Sequence, residues 1–407
     1  MAARPTLAAL TGLRFFAALH VVLFHFAAPV LASAPEWARN FAAAGLTGVD
    51  LFFILSGFVL AYNYLDGRQM RRREFWVARF ARIYPAHLVG VLLLAPYIIY
   101  AYFTVFPAPA AAGKTLGDAG LALTLTQAWV PGSWSAWNGP AWSLGAEAFF
   151  YALFPFLGLA LGRIPVRLLP VALGGFWVLA VLRPASYILY DIPGWWPVAY
   201  ANPILRLPEF LMGIVLGRLF LHYGRARWGG WLAALGVCGW VGLLGIGVPG
   251  VNSLLARTVL ARLNSALLYE ALLLVFFVLL IYGLAHGYGV VAKGLSLPFM
   301  LLLGEASYGL YILQVPVAAA VKGLTEQRMD PVMLPYIKYF ETVPYFLAYV
   351  AILVMLAIIS HQVVEAPART FLKRALNRPR PARVPAVSEP ALPAPVVPPA
   401  IEAPEIP

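Results

Sequence analysis

Cysteine is almost missing from this chain. Cys238 is the only one in 407 residues, so an intrachain disulfide is impossible and a cysteine-built metal site is excluded. Set in an apolar stretch, that cysteine is expected to serve packing. Charge is scarce as well: 11% of residues are Asp, Glu, Lys or Arg and 62% are hydrophobic, whereas soluble domains carry about a quarter charged. An ordinary soluble domain is therefore excluded. Strict apolar-polar alternation is lacking, which speaks against a membrane barrel. A small-residue cleavage pattern is lacking after the first apolar segment, so that segment is expected to stay as an uncleaved helix. The charge that is present leans positive, with a net value of +12. No basic, aromatic-interleaved module lies outside the apolar segments, and nucleic acid is not an expected partner.

What is abundant is apolar sequence in lengths that cross a roughly 30 Å hydrocarbon core as helices. Ten spans are predicted, near 7–28, 46–65, 84–105, 141–161, 167–183, 204–221, 230–247, 266–285, 299–321 and 343–362. The fold class expected is all-α, a polytopic membrane protein. If the N-terminus lies inside, inner loops hold 19 of the 29 Lys and Arg, and the positive-inside bias places both termini in the cytoplasm. Residues 1–375 form the expected transmembrane domain, and residues 376–407, with Pro at about every third position, an expected disordered cytoplasmic tail. Segment 119–140 is apolar and then rich in Gly, Pro, Ser and Trp. It reads either as a re-entrant element of the outer side or as a surface loop with an interfacial Trp belt. A second aromatic loop, 190–203, falls on the same side.

Inside this apolar frame a few polar groups stand out. Arg14 and His25 share the first span; eleven residues at about 100° each bring them within about 20° of one face, about 16 Å apart. Charged groups in hydrocarbon are costly and mark functional sites. Imidazole titrates near neutrality, so His25 is a candidate base for a hydroxyl proton; His20 reads as packing. Asp50 and Glu147 are candidate partners, each able to hold the His25 tautomer or to neutralise Arg14, with Asp50 favoured for the histidine. Ser143 shares a helix face with Glu147 and is a candidate orienting donor. Arg79 and Arg82, three apart at the inner surface, offer two guanidinium forks suited to phosphate oxygens, or else serve orientation alone, as Arg68 and Arg71 to Arg73 are expected to. In the ninth span Glu305, Ser307, Tyr308, Tyr311 and Gln314 form a polar stripe, which either lines a cavity or hydrogen-bonds across a packed seam.

These segments together resemble the acyltransferase 3 family of bacterial integral-membrane O-acyltransferases. The resemblance rests on Arg14 and His25 with ten residues between them, GVDLFFILSGFVL, RFAR ahead of IYP, NGPAWSLGAEAFFYALFP, LGEASYGLYILQVP and VEAPAR, and spans roughly residues 7–374. It implies that His25 is the essential base and that Arg14 belongs to the same motif. It also implies that Arg79 and Arg82 engage the phosphates of a cytoplasmic acyl-coenzyme A, and that the Trp142 to Glu147 segment helps to form the acceptor side, with Trp142, Ser143, Tyr308 and Gln314 as substrate-facing residues. Many relatives have histidine where this chain has Gln314, and many carry a fused SGNH-hydrolase-like domain, which is not seen here. The function expected is transfer of an acyl group, expected to be acetyl, from coenzyme A to a hydroxyl of an extracytoplasmic glycan, lipid-linked saccharide or small molecule. The donor is consumed rather than permanently bound, no metal is expected, and membrane lipids surround the protein in the bacterial inner membrane. The alternative from another class is a proton-coupled secondary transporter using Arg14, His25 and Glu147 as substrate and proton sites. A structural or lipid-handling envelope component is a third reading.

Overall fold

The computed structural model describes residues 6–65, 70–188, 192–256, 264–328 and 342–376, with side chains up to residue 321 in the fourth stretch. Arg68 and the expected tail beyond residue 376 lie outside the described residues. Within them every regular element is helical. In chain order the helices are α1 (Ala8–Phe26), α2 (Glu36–Ala43), α3 (Gly48–Tyr64), α4 (Arg72–Val105), α5 (Ala108–Thr124), α6 (Trp142–Gly162), α7 (Leu169–Ile188), α8 (Trp195–Ala201), α9 (Leu207–Tyr223), α10 (Gly229–Leu255), α11 (Ser265–Ala285), α12 (Gly289–Leu295), α13 (Pro298–Arg328), α14 (Val343–Ser360) and α15 (Ala366–Leu376). Among the described residues nine stretches are long and apolar enough to cross a membrane. The expected span at 204–221 is the 17-residue α9, about 26 Å long at 1.5 Å per residue. The protein is a multi-pass membrane protein.

In lipid no hydrophobic force drives one helix onto another, so packing relies on close approach at small residues and on hydrogen bonds. The longest seams pair α10 with α11, α3 with α9, α1 with α13, and α13 with α14. The α3–α9 seam shows why glycine is required. A Cβ at Gly213 would run into the carbonyl oxygen of Ile54, and one at Gly57 into that of Phe210. Gly213 and Gly217 are four apart, so the approach continues over a full turn. Two apolar cores flank α1: one is built from α3, α6, α9, α13 and α14, the other from α3, α9, α10 and α11. Thus α1 stands in the middle of the protein.

Three expectations are corrected here. The apolar start of segment 119–140 belongs to a 17-residue helix, α5, packed along α4, rather than to a re-entrant element or a surface loop. Its three interior glycines and the Lys114 and Asp118 pair dilute the apolar signal. In the structure Asp118 accepts from Tyr102 Oη at 2.6 Å and Lys114 Nζ at 2.9 Å, so its buried carboxylate is matched. The third span begins at Arg72, a full three turns before its expected start, so Arg79 and Arg82 sit within a continuous 34-residue helix. Cys238 faces outward from α10 and is exposed, not packed in the interior.

Candidate active site

Three cavities in a row share walls along the inner face of α1. The first, of about 790 Å³ including its open part, is lined by Arg14, Ser56, Arg79, Arg82, Ser143, Glu147, Tyr151, Ser307, Tyr308 and Tyr311, among others. At one end it shares Arg14, Arg82, Ser307 and Tyr308 with a second cavity that adds Glu305, His361, Glu365 and Arg369. At the other end it shares Val49 and Tyr311 with a third, whose walls include His25, Trp134, Ser135, Trp142, Trp196 and Tyr200. Arg14 and His25 therefore open into the same series of cavities from opposite ends of one helix, as their spacing requires. The polar stripe of α13 runs along the series, with Glu305, Ser307, Tyr308 and Tyr311 on its walls. Both readings of that stripe hold: Ser307, Tyr308 and Tyr311 line cavities, while the Tyr308 and Tyr311 hydroxyls and the Gln314 amide also hydrogen-bond to neighbouring helices.

At the His25 end the imidazole is oriented by two carbonyl oxygens. Nδ1 lies 2.9 Å from the Val21 backbone oxygen and 3.0 Å from Gln314 Oε1. Gln314 is fully buried, and its Nε2 donates to the Tyr311 carbonyl at 2.8 Å, which settles which end of the amide faces the histidine. Both groups facing Nδ1 can only accept, so Nδ1 carries the proton and Nε2 keeps its lone pair. Among the described residues Nε2 has no hydrogen-bond partner. His20 is different: its Nε2 donates to the Phe41 carbonyl at 2.7 Å, and the ring is buried against Phe41 and Trp240.

Asp50 is not the histidine's partner. Its carboxylate is buried in an ion cluster, bonded to Arg206 and 3.7 Å from Arg183, while Glu209 lies 3.4 Å from Arg183 and 3.3 Å from Arg206. The preference for Asp50 over other groups fails because α3 turns that side chain towards α7 and α9. Sequence reasoning missed the cluster because Arg183 and Arg206 sit at span ends, where an arginine reads as loop charge. Its location matters, since Arg206 Nε donates to the Tyr200 carbonyl at 2.6 Å and the guanidinium lies over the rings of Tyr200 (4.8 Å) and Trp142 (5.3 Å). The cluster thus backs the wall of the His25 cavity.

At the other end Arg14, Arg79, Arg82 and Glu147 line the first cavity, and Arg14 and Arg82 also line the second with Glu305, Glu365 and Arg369. Glu147 accepts from Tyr151 Oη and from Ser56 Oγ, the latter at 3.2 Å. Ser143, expected to orient Glu147, instead bonds Tyr311 Oη at 2.8 Å and the Pro140 carbonyl at 3.1 Å. Among the described residues none of the guanidiniums of Arg14, Arg79 and Arg82 has a carboxylate within 4.0 Å. Arg79 is held by the rings of Tyr64, Phe75 and Tyr151 at 5.8, 5.8 and 5.7 Å, which stabilise a cation without neutralising it. Arginines left unpaired inside apolar surroundings bind anions, above all phosphate, which their planar forks match. Next to them the chain makes one π-helical turn, His361–Glu365, between α14 and α15; such turns cluster at functional sites, and this one puts His361 and Glu365 on the cavity wall. Tyr308 lies between the two ends with its hydroxyl on the Ile83 carbonyl at 2.5 Å. Arg71, by contrast, is paired with Glu74 at 2.9 Å on the surface.

Residues 7–361 match the acyltransferase domain family. The chain belongs to the acyltransferase 3 family. Relatives include the acyltransferase MdmB of Streptomyces mycarofaciens, 34% identical over 54% of this chain and 58% of its own length. The O-acetyltransferase OatA of Staphylococcus aureus is 26% identical over 88% of this chain and 57% of its own length. The peptidoglycan O-acetyltransferase OatA of Listeria monocytogenes is 24% identical over 77% of this chain and 50% of its own length. The chain thus spans about half the length of the curated relatives it matches. No solved structure matches it.

Proposed function

We propose that this protein is a membrane O-acyltransferase that moves an acetyl group from acetyl-coenzyme A, bound from the cytoplasm at Arg79 and Arg82, to a hydroxyl of an extracytoplasmic acceptor in the His25 cavity. The observation that carries the reading is the pairing of an oriented imidazole, its Nε2 unpartnered among the described residues, with an arginine cluster that has no carboxylate within ion-pair distance among the described residues, at the far end of one series of cavities. A coenzyme A places its charged phosphates among the arginines while its long arm follows the cavities, bringing the thioester to His25. Nε2 takes the acceptor's proton as its oxygen attacks the thioester carbonyl. The tetrahedral intermediate then collapses with cleavage of the C–S bond, and the imidazolium returns the proton to the departing thiolate, yielding the ester and free coenzyme A. While charged, the ring keeps its Nδ1–H on the Val21 and Gln314 oxygens, which stabilise the positive charge.

The test is transfer of labelled acetyl from acetyl-coenzyme A by purified protein in lipid discs supplied with envelope extract. His25→Ala is expected to lower the rate about 10²–10⁴-fold, as loss of a general base does, with His20→Ala near wild type. Retention of more than half the wild-type rate by His25→Ala overturns the catalytic assignment.

A further inference from the structure

We propose that the Tyr311 hydroxyl is the hydrogen-bond donor that receives the negative charge of the tetrahedral intermediate, with Ser143 as the positioning residue that frees it to do so. The inference rests on the acyl-transfer reading above and adds a catalytic residue to it. Proton transfer at His25 accounts for the attacking hydroxyl and the departing thiolate. It leaves the thioester carbonyl oxygen, which becomes an oxyanion, without a partner. Charge of that kind in a site closed to water calls for a preorganised donor, and losing one costs about 10²–10³ in kcat. The thioester reaches His25 from the arginine side, so the donor belongs where the first and third cavities meet. Two residues line both, Val49 and Tyr311. Only the tyrosine side chain has a proton to donate.

The hydroxyl stands in a trio that holds a spare proton. Tyr311 Oη lies 2.9 Å from the Pro140 carbonyl oxygen and 2.8 Å from Ser143 Oγ, and Ser143 Oγ lies 3.1 Å from the same carbonyl. Each hydroxyl has one proton to donate and the carbonyl has none. Either proton by itself satisfies the Pro140 oxygen, so the other is free to turn to a new acceptor without stranding a buried carbonyl. Ser143 is placed to keep Pro140, since it lies three residues away in the same segment, whereas Tyr311 comes from α13 across the junction. The other hydroxyls of the first cavity are committed. Ser56 and Tyr151 donate to Glu147, Ser307 to the Gly304 carbonyl at 2.7 Å, and Tyr308 to the Ile83 carbonyl.

Tyr311 is also tied to the base. Its backbone carbonyl accepts from Gln314 Nε2 at 2.8 Å, and Gln314 Oε1 lies 3.0 Å from His25 Nδ1. One turn of α13 thus fixes both the imidazole and the residue whose phenol faces the junction. The ring itself is buried and packs edge-on against Phe52 at 6.1 Å. In the step, the acceptor oxygen bonds the thioester carbon as its proton passes to His25 Nε2, and the C=O π pair moves onto the carbonyl oxygen. The Tyr311 O–H turns from Pro140 to that oxygen and keeps its proton. When the pair returns to re-form C=O, the C–S bond breaks and the thiolate takes the proton from the imidazolium. Tyr311 then turns back to Pro140.

The test is infrared difference spectroscopy of carbonyl-¹³C-labelled acetyl-coenzyme A bound to the full chain in lipid discs without acceptor, alongside the acetyl-transfer assay. We expect the bound carbonyl band to lie below that of the free thioester, as a hydrogen-bonded carbonyl does, and to return to the free position in Tyr311→Phe. That variant keeps the ring, and Ser143 still serves the Pro140 oxygen, so donor affinity should match wild type while kcat falls about 10²–10³-fold. Ser143→Ala should give a smaller band shift and lower kcat about tenfold, because Tyr311 then serves Pro140 alone. If Tyr311→Phe does not reach the membrane, an unchanged band in Ser143→Ala overturns the proposal by itself. Tyr200→Phe, on the wall of the third cavity and not the first, should keep the full shift, and the exposed Tyr97→Phe should match wild type throughout. A bound carbonyl at the free position, a shift that survives in Tyr311→Phe, or one lost in Tyr200→Phe overturns the proposal. The trio would then be a clamp between α13 and the start of α6, with the transfer reading intact. Failure of the protein to retain acetyl-coenzyme A at all would sink the transfer reading, and the oxyanion assignment with it.

Discussion

A histidine near the end of an apolar helix becomes a base only when something decides which nitrogen holds the proton. Here Gln314 does so, through an amide whose own orientation is locked by Tyr311. A glutamine orients the imidazole without adding charge, so its contribution is one hydrogen bond rather than an ion pair. Gln314→Leu should therefore lower kcat on the order of tenfold, the effect of about 1.4 kcal/mol in the barrier, and leave the acetyl-coenzyme A KM unchanged. The ¹⁵N shifts of His25 should report mixed tautomers in that variant and a single one in the wild type; a single tautomer in both would show that Val21 alone suffices. The arginines act on the other substrate. Arg82→Lys keeps the charge but loses the planar fork, and should raise the donor KM several-fold while Arg71→Lys, altering a surface pair, is silent. An unchanged donor KM with less protein in the membrane would make Arg82 an orientation signal.

Helices supply what single residues cannot. α1 presents Arg14 and His25 on one face, α13 runs its polar stripe beside it, and α4 brings Arg79 and Arg82 to the same cavity. Holding α3, α7 and α9 together behind the His25 cavity is the buried cluster of Asp50, Arg183, Arg206 and Glu209, all under 6% exposed. Such a cluster is weak evidence for net stability, but breaking it leaves charges stranded in a dry interior. Arg206→Met is expected to destabilise by about 3–5 kcal/mol, seen as a lowered thermal midpoint in detergent. The double variant Arg206→Met with Glu209→Gln should recover part of that loss, since fewer uncompensated charges remain. Equal midpoints for the single and double variants would show that the two side chains are not coupled.

At the scale of the whole molecule, the cavities give the protein two chemically distinct ends, and the transfer reading assigns the arginine end to the cytoplasm. Gly113 stands near the start of α5, and Ala226 between α9 and α10. A cysteine at position 113 meets no neighbouring atom within 4 Å of its Cβ. In a Cys238→Ala background, Gly113→Cys should react with an impermeant thiol reagent from outside the cell, and Ala226→Cys only after permeabilisation. The opposite labelling would reverse the donor and acceptor faces.

Composition and periodicity alone determined that this chain crosses a membrane many times as helices, because apolar length is a local property that survives any rearrangement of neighbours. Placement of Arg14 and His25 on one face was equally legible, since 3.6 residues per turn is set by the backbone. So was the polar stripe of residues 305–314. What those polar groups face was not legible. Gln314 takes the part expected of Asp50, and Asp50 joins an ion cluster, because the rotation of α3 and α13 is set by close packing at contacts such as Gly213 against Ile54 and Gly304 against Thr11, and no pattern within one segment reports it. The ion cluster was hidden for a related reason: an arginine at a span end looks the same whether it meets lipid headgroups or two buried carboxylates. Only the tertiary structure brings Trp134 against Trp196 and Tyr200 across more than sixty positions of sequence, because those ring contacts belong to the fold and to neither segment by itself.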